Sequence, residues 1–373
     1  MGGTERQSIF LADSLRKAGH EAHLLLFRPG GALWNDILGH EIPHRVLQSV
    51  DTRICFLAPG IMQALEEMSP DAILCMGRTA NCYAGWIQRH FPNIGVIATL
   101  RTGKLIQPLH HWSLGQVRAV LVNSNWWKRR MLERGFSEDK IRLIHNPVML
   151  RHGLEHRNEW RAEMRTKTGA GEHTKVFLVL ASLRPGKRHM ELLDSFVRYA
   201  SETRDDWQLW IVGTGKELPR CRRFVEANGL QKRVLFFGQQ AQTGPYYAGA
   251  DFAVSASRED SLPNFLIEAQ AMGLPLIAVE CRGVCECCIP ERTGIIVPPD
   301  RPALFAEALQ RAANDPLLQT LTMKEAPAFV AEKFGAEKQA ALSVAFLEEI
   351  AKATRSRATK AAAQADASDR CAI

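Results

Sequence analysis

The sequence predicts an α/β protein of two domains, each built on a parallel sheet flanked by helices. Three observations carry that expectation. Near-continuous apolar runs such as AVLVNS (119–124) and VFLVLASL (176–183) suit strands buried on both faces, as parallel sheets require. These runs alternate with helical stretches and end in glycine or small polar residues, the pattern of βα units. A chain of 373 residues is too long for one ordinary core, so the alternation divides between two domains.

The first element is a helix over SIFLADSLRKAGH (8–20), with Ile9, Phe10, Leu11 and Leu15 as apolar contacts and Gly19 as its stop; Gly2 and Gly3 precede it. EAHLLLF (21–27) reads as a strand, and weak alternation continues over 43–47 and 51–68. AILCMG (72–77) is a buried strand ending in glycine, followed by a helix over 81–90 and the strand IGVIATL (94–100). Arg101 stands at the carboxyl end of that strand. An arginine there can hold a phosphate or an acidic group bidentately, but cannot act as a base at neutral pH. AVLVNS comes next, then a basic helix ending at Gly135 and the strand KIRLIHNPV (140–148). Residues 149–174 are charged, poor in apolar side chains and compatible with a helix, and read as a linker.

The second domain opens with VFLVLASL, followed by RPGKRH (184–189), in which Lys187 offers an ammonium suited to a pyrophosphate. In QLWIVGTG (208–215) the glycines, Gly213 first, let a strand-to-helix turn pass close to a nucleotide. RVLFFG (233–238) is the next strand. The central stretch follows: DFAVSAS (251–257) has the weight of a short buried strand, and Pro263 fits the first position of a helix. That helix carries Phe265, Leu266, Ala269 and Met272 on its apolar side and stops at Gly273, ahead of Pro275. A strand, a polar turn and a helix N-terminus at a sheet's carboxyl edge make an anion site, because unpaired amides and the helix dipole both favour phosphate. Asp260 in the turn and Glu268 in the helix bracket it, two carboxylates able to accept from the hydroxyls of a sugar and a ribose. LIAVE (276–280), TGIIVPPD (293–300) and helices over 302–313 and 337–354 complete the chain, and 356–373 reads as a disordered tail.

Asp260, seven intervening residues, Glu268 and then AQAMGLPLIAV resemble the E-x7-E segment of the retaining GT-B glycosyltransferases of the group-1 (family 4) class. The likeness extends over nearly the whole chain. RPGKRH resembles the GRL-x-x-x-KG loop and QLWIVGTG the L-x-I-V-G-x-G turn; Tyr246, Ala250 and Asp251 match Y-x-x-AD, and 283–286 match G-V-x-E. The resemblance implies a GT-B fold, two Rossmann-like domains whose parallel sheets face a central cleft. Residues 1–149 would form the acceptor side and 150–355 the donor domain, with the last helix crossing back.

It also implies roles. Lys187 matches the lysine that clamps the donor diphosphate, while Ser182 stands where the clamp's arginine is expected. The amides of Asn264 and Phe265 would meet the diphosphate, since Pro263 has none. Glu268 would hold the ribose, Gly213 would border the nucleotide, and Asp260, one methylene shorter than the usual glutamate, would hold the donor sugar. Arg101 stands where many members place a histidine beside donor sugar and acceptor, and Gly2 and Gly3 match the GG loop. The strand that usually precedes that loop is missing; losing a central strand would expose two unpaired edges, so the true start is expected upstream. The implied activity is transfer, with retention, of a sugar from a UDP-, GDP- or ADP-sugar to a lipid-linked or cell-surface saccharide, such as lipopolysaccharide or another envelope polysaccharide. No cofactor, metal or covalent nucleophile is implied. The alternatives are a nucleotide-sugar epimerase of GT-B shape and a non-catalytic nucleotide-sugar binder.

Composition agrees with a soluble globular protein, at 46% hydrophobic and 23% charged residues. No apolar run is long enough to span a membrane and the start is no signal peptide, which favours the cytoplasm. Nine scattered cysteines suggest reduced thiols; Cys281, Cys285, Cys287 and Cys288 lie close together but lack a second pair at zinc-finger spacing. The net charge of +7 is uneven, with nine Lys/Arg against three Asp/Glu between Arg101 and Arg142. There, Trp126-Trp127-Lys128-Arg129-Arg130 suits the headgroup region of an anionic membrane at the inner face of the cell. A solvated helix with buried tryptophans ranks ahead of that reading, and no nucleic-acid partner is expected. His110 and His111 read as a loop or helix-surface pair.

Overall fold

The computed structural model describes residues 3–31, 34–103, 106–148 and 154–370. Gly2 lies outside them. The chain divides into two compact units, one of Met1–Pro147 with Glu337–Ile373 and the other of Val148–Ala336.

In the first unit, β1 (Leu24–Leu26) and β2 (His44–Val46) form a parallel pair. A separate four-stranded parallel sheet runs β3 (Ala72–Cys75), β4 (Gly95–Leu100), β5 (Ala119–Val122), β6 (Ile141–Leu143) in chain order. Every residue of β4 and β5 is buried, as their unbroken apolar sequences require. Among the described residues no strand joins the pair to the sheet. The helix Gly3–Lys17 is the first described element.

The helix Ala336–Arg370 belongs to this unit and lies directly on β4. A Cβ built on Gly95 would come within 2.4 Å of Ile350, so only glycine admits the helix at that depth. Phe346 and Ile350 pack with Ile97, Leu121 and Ile144. The backbone stays helical to Arg370, through the stretch expected to be a disordered tail. Its alanines have the highest helix propensity of any residue, which compensates for the lack of an apolar stripe.

The basic helix, Asn125–Leu132, is capped by Ser124, whose hydroxyl accepts from the Trp127 amide. Trp127 is buried, and its indole N–H donates to the Thr102 carbonyl at 3.1 Å. Lys128 pairs with Glu138 and Arg130 with Glu133. Trp127 therefore serves the core, and these two cations face the chain's own acids. No helix among the described residues is long and apolar enough to cross a membrane.

The second unit holds one six-stranded parallel sheet: β7 (Lys175–Leu180), β8 (Trp207–Val212), β9 (Val234–Gly238), β10 (Phe252–Ser255), β11 (Leu276–Val279) and β12 (Gly294–Val297), in the order β12-β11-β10-β7-β8-β9. The order reverses between β7 and β10, the topological switch point of a doubly wound sheet. Phe177 and Phe252 stack across that junction with centroids 5.0 Å apart. Part of the expected linker is helical, over Arg157–Thr168, and is fixed to this unit. Arg161 and Arg165 both pair with Asp251, whose carboxylate also accepts from the Val176 amide at 2.8 Å. The stretch is helix-compatible in sequence, and the helix buries little apolar surface: Met164 and the guanidinium-bearing Arg165 are its buried residues. Cys281, Cys287 and Cys288 belong to the apolar core of this unit, where burial raises their thiol pKa values.

Candidate functional site

The switch point brings together the loops after β7 and β10. After β7 the chain passes exposed Ser182, then Leu183 and Arg184, before a single 3-10 turn over Pro185–Lys187. Arg188 takes the left-handed conformation (φ 55°) and the helix His189–Glu202 follows. After β10 the chain continues through Ala256–Ser261 to Pro263, which precedes the helix Asn264–Ala271 rather than opening it. Pro263 is extended (φ −75°, ψ 109°), and its carbonyl accepts from the Leu266 amide at 3.0 Å. That helix has no side-chain cap at its start. At its other end Gly273 (φ 70°) closes a Schellman turn, with Leu274 N–H to Ala269 O and Gly273 N–H to Gln270 O, both at 2.9 Å.

The two loops meet through Lys187 and Asp260. The Lys187 ammonium lies 2.6 Å from each carboxylate oxygen, and the side chains are only 15% and 18% exposed. Burial alone would raise the Asp260 carboxyl, but the charge and hydrogen bonds of Lys187, together with the charge of Arg184, hold it below the ordinary range. The pair is thus ionised and sits where the sheet order reverses.

Neighbouring groups lock this arrangement. A Cβ on Gly186 would fall where the Glu259 carboxylate lies, so the end of that side chain packs directly against the Gly186 backbone. The Arg258 amide donates to the Gly186 carbonyl at 3.1 Å, and Arg184 pairs with Glu259 at 3.5 Å. Arg188 instead pairs with Glu191 along its own helix. Of the two cations that stand near the unfilled arginine position, Arg184 is therefore the one that faces Asp260.

Glu268 is half-buried and accepts from the Tyr247 hydroxyl at 2.6 Å, while the Tyr247 ring stacks on Phe265. Tyr247 is wholly buried and fixes the carboxylate. Gly213 (φ 140°) and Gly215 (φ 158°) have a structural reason of their own: added Cβ atoms would lie 2.0 Å from the Ala181 carbonyl oxygen and 2.2 Å from that of Leu183. The turn after β8 is pressed against the loop after β7, and Leu183 N–H donates to Thr214 O at 2.9 Å. Tyr247, Glu259 and His189 went unnoticed in the sequence, because their importance comes from neighbours distant in the chain. His189 is 2% exposed, with neither ring nitrogen hydrogen-bonded among the described residues; burial and the Lys187 charge push its pKa down to about 4.

In the first unit Arg101 is half-buried at the end of β4. Its guanidinium donates to Asn146 Oδ1 at 2.7 Å and to Gln7 Oε1 at 3.2 Å, and lies near Met76 Sδ. Among the described residues no carboxylate pairs with it, and burial lowers its pKa to about 10. Gln7 reaches Arg101 from the helix that begins at Gly3. His110, expected at a surface, is buried.

Two family models match the chain: Glycosyltransferase Family 4 over residues 1–152 and Glycosyl transferases group 1 over 174–315. The lipopolysaccharide 1,6-galactosyltransferase of Salmonella typhimurium is 26% identical over 59% of this chain, which spans 58% of that relative's length. The lipopolysaccharide core biosynthesis glycosyltransferase LpsD of Rhizobium meliloti is 24% identical over 85% of this chain and 87% of its own. Among solved structures, Anabaena Alr3699/HepE in complex with UDP and glucose aligns with a TM-score of 0.78 at 18% identity, over 93% of this chain and 96% of that one.

Proposed function

Because the chain belongs to the group 1 glycosyltransferases and has their GT-B fold, we propose that it transfers a sugar, with retention, from a nucleoside diphosphate sugar to a lipid-linked or cell-surface saccharide of an envelope polysaccharide. The observation that carries this reading is the buried Lys187–Asp260 pair at the switch point, beside the uncapped Asn264–Ala271 helix. Ligands of open α/β sheets bind at that position. With donor present, Lys187 exchanges its contact with Asp260 for the diphosphate, whose growing charge on departure is met by this ammonium and the amides of Asn264 and Phe265. Arg184 supplies the second cation in place of Ser182. Asp260, released from Lys187, accepts from the donor sugar's hydroxyls, and Glu268, held by Tyr247, accepts from the ribose. The relatives' names support an envelope saccharide as acceptor, and the solved complex with UDP supports a uridine nucleotide in the donor panel.

The test is binding and turnover of UDP-, GDP- and ADP-sugars by wild type, Glu268→Ala and Lys187→Ala. Selective binding by wild type is expected, with Glu268→Ala weakening it at least about tenfold, the scale of one charge-assisted hydrogen bond. Lys187→Ala should lower turnover about a hundredfold or more, as losing a group that stabilises transition-state charge does. No binding of any nucleotide sugar would overturn the reading.

A further inference from the structure

The first unit presents an apolar surface that its own core leaves uncovered. In the loop between β2 and the helix Ile61–Met68, Val50 is 67% exposed and Phe56 72%, with Ile54 and Leu57 exposed beside them. The shape of this loop is fixed from within. Gln48 is buried, and its side-chain amide donates to the carbonyls of Ile54 at 3.0 Å and Leu57 at 2.7 Å while accepting from the Thr52 hydroxyl at 2.7 Å. Arg28 grips both oxygens of Asp51, at 2.6 and 2.7 Å, and Arg53 is held in the left-handed conformation (φ 61°). Polar groups of the loop are thus satisfied inward while apolar side chains are turned outward, the reverse of what a loop folded only for its own core would show.

The surface continues onto two helices. The Tyr83 hydroxyl donates to the Phe56 carbonyl at 2.5 Å, and the Tyr83 ring meets Trp86 edge-on with centroids 6.1 Å apart. Trp86 is 48% exposed and tilts against Trp112 of the helix Pro108–Gln116, on which Leu109 is exposed one turn earlier. Contiguous exposed apolar side chains of this kind mark an interaction surface. Charge then selects the partner. Neither the helix Arg78–His90 nor Pro108–Gln116 contains an acid. Asp51 is the loop's one acid and is held by Arg28; Glu66 and Glu67 of the next helix face His90 and Arg45. Exposed Arg53 stands within the loop, and exposed Arg78 and Arg89 on the helix of Trp86. A second copy of the chain would bring these like charges together. Aromatic and aliphatic side chains among arginines, with the neighbouring acids already engaged, fit instead the headgroup region of an anionic bilayer, where indole N–H groups and guanidiniums stay wet and the apolar groups reach below them.

We propose that this face, the 50–57 loop with Trp86 and Leu109, docks the protein on the surface of a bilayer that contains anionic phospholipid. It is tested by flotation of the full chain with phosphatidylcholine vesicles, with and without phosphatidylglycerol. Binding to the anionic vesicles at least about tenfold tighter than to the neutral ones is expected, falling as salt is raised. Ile54→Ser combined with Phe56→Ser should weaken it at least about tenfold and leave the thermal melt as in wild type, because both side chains are exposed. Arg53→Gln combined with Arg89→Gln should remove the preference for phosphatidylglycerol. Arg130→Gln, on the separate basic helix, should bind as wild type does. Lipids brominated in their acyl chains should quench tryptophan emission in wild type, and Trp86→Phe should lose most of that quenching. Absence of binding to either vesicle overturns the proposal, as does binding that the Ile54/Phe56 variant leaves intact or quenching that survives Trp86→Phe. A dimer in light scattering that the Ile54/Phe56 variant splits also overturns it, since a second copy then covers the face. The vesicles carry no saccharide and no nucleotide sugar, so failure here leaves the donor reading standing, and failure of the donors to bind leaves docking to be judged on its own.

Discussion

His110 and His189 occupy equivalent chemical situations in separate units: each is a buried imidazole next to a helix start, with a cation nearby and its pKa pushed from 6.5 to about 4. The sign of the consequence follows from proton counting. Between those two values the unfolded chain holds protons that the folded chain does not, so stability is fully present above pH 6.5 and is lost as the pH falls toward 4. Each imidazole accounts for at most about 3 kcal/mol. Thermal melts from pH 7.5 to 4.5 should show a steadily falling midpoint, and a chain with both His110→Phe and His189→Phe should show a flatter profile. Asp260 acts in another window, because its carboxyl already titrates below the ordinary carboxylate range. At this scale the sequence was readable where chemistry is local. Charge and turn residues draw attention to Lys187, Asp260 and Glu268, the family resemblance gives them roles, and the structure brings Lys187 and Asp260 together. No local signal singles out Tyr247, since a tyrosine becomes a carboxylate's anchor only when a helix from elsewhere in the chain lies beside it.

At the scale of elements, Gly213 shows how two turns become one surface. Its Cβ-free backbone touches the Ala181 carbonyl, and the conformation is one that other residues rarely adopt. Gly213→Ala should cost about 3 kcal/mol or more, from overpacking against backbone that cannot move aside together with backbone strain. Because the displaced loop leads to Lys187, the same variant should bind nucleotide sugar more weakly; urea unfolding and donor titration separate the two effects. Strands buried on both faces were legible as apolar runs: β4 and β5 lie within the stretches expected, and β7 and β8 each begin one residue before theirs. The short helix Trp34–Gly39 was not legible, and the polar helix Arg157–Thr168 was legible only as a helix-compatible linker, for periodicity is visible only where a helix buries a stripe of apolar side chains. The expectation for the tryptophan-rich helix left two outcomes open, and the burial of Trp127 favours the packed one.

For the whole molecule, the alternation of strand and helix carried the fold class, and the family models and GT-B neighbours agree with it. Among the described residues the first unit's strands form two separate sheets. What the alternation could not convey is how far the last helix is built into that unit. A chain ending at Gly335 should fail to give a soluble, cooperatively melting first unit, because Ile97, Leu121 and Ile144 lose Phe346 and Ile350. One ending at Ser356 keeps those contacts and should melt as the full chain does; circular dichroism and size-exclusion chromatography distinguish them. That arrangement also imposes an order on synthesis. The second unit is one continuous segment, whereas the first needs residues from both sides of it. On the ribosome, the second unit can close as soon as it has emerged, while β4 waits for a helix made almost last. During that interval the nascent first unit presents a bare apolar sheet face, the kind of surface that recruits chaperones or aggregates.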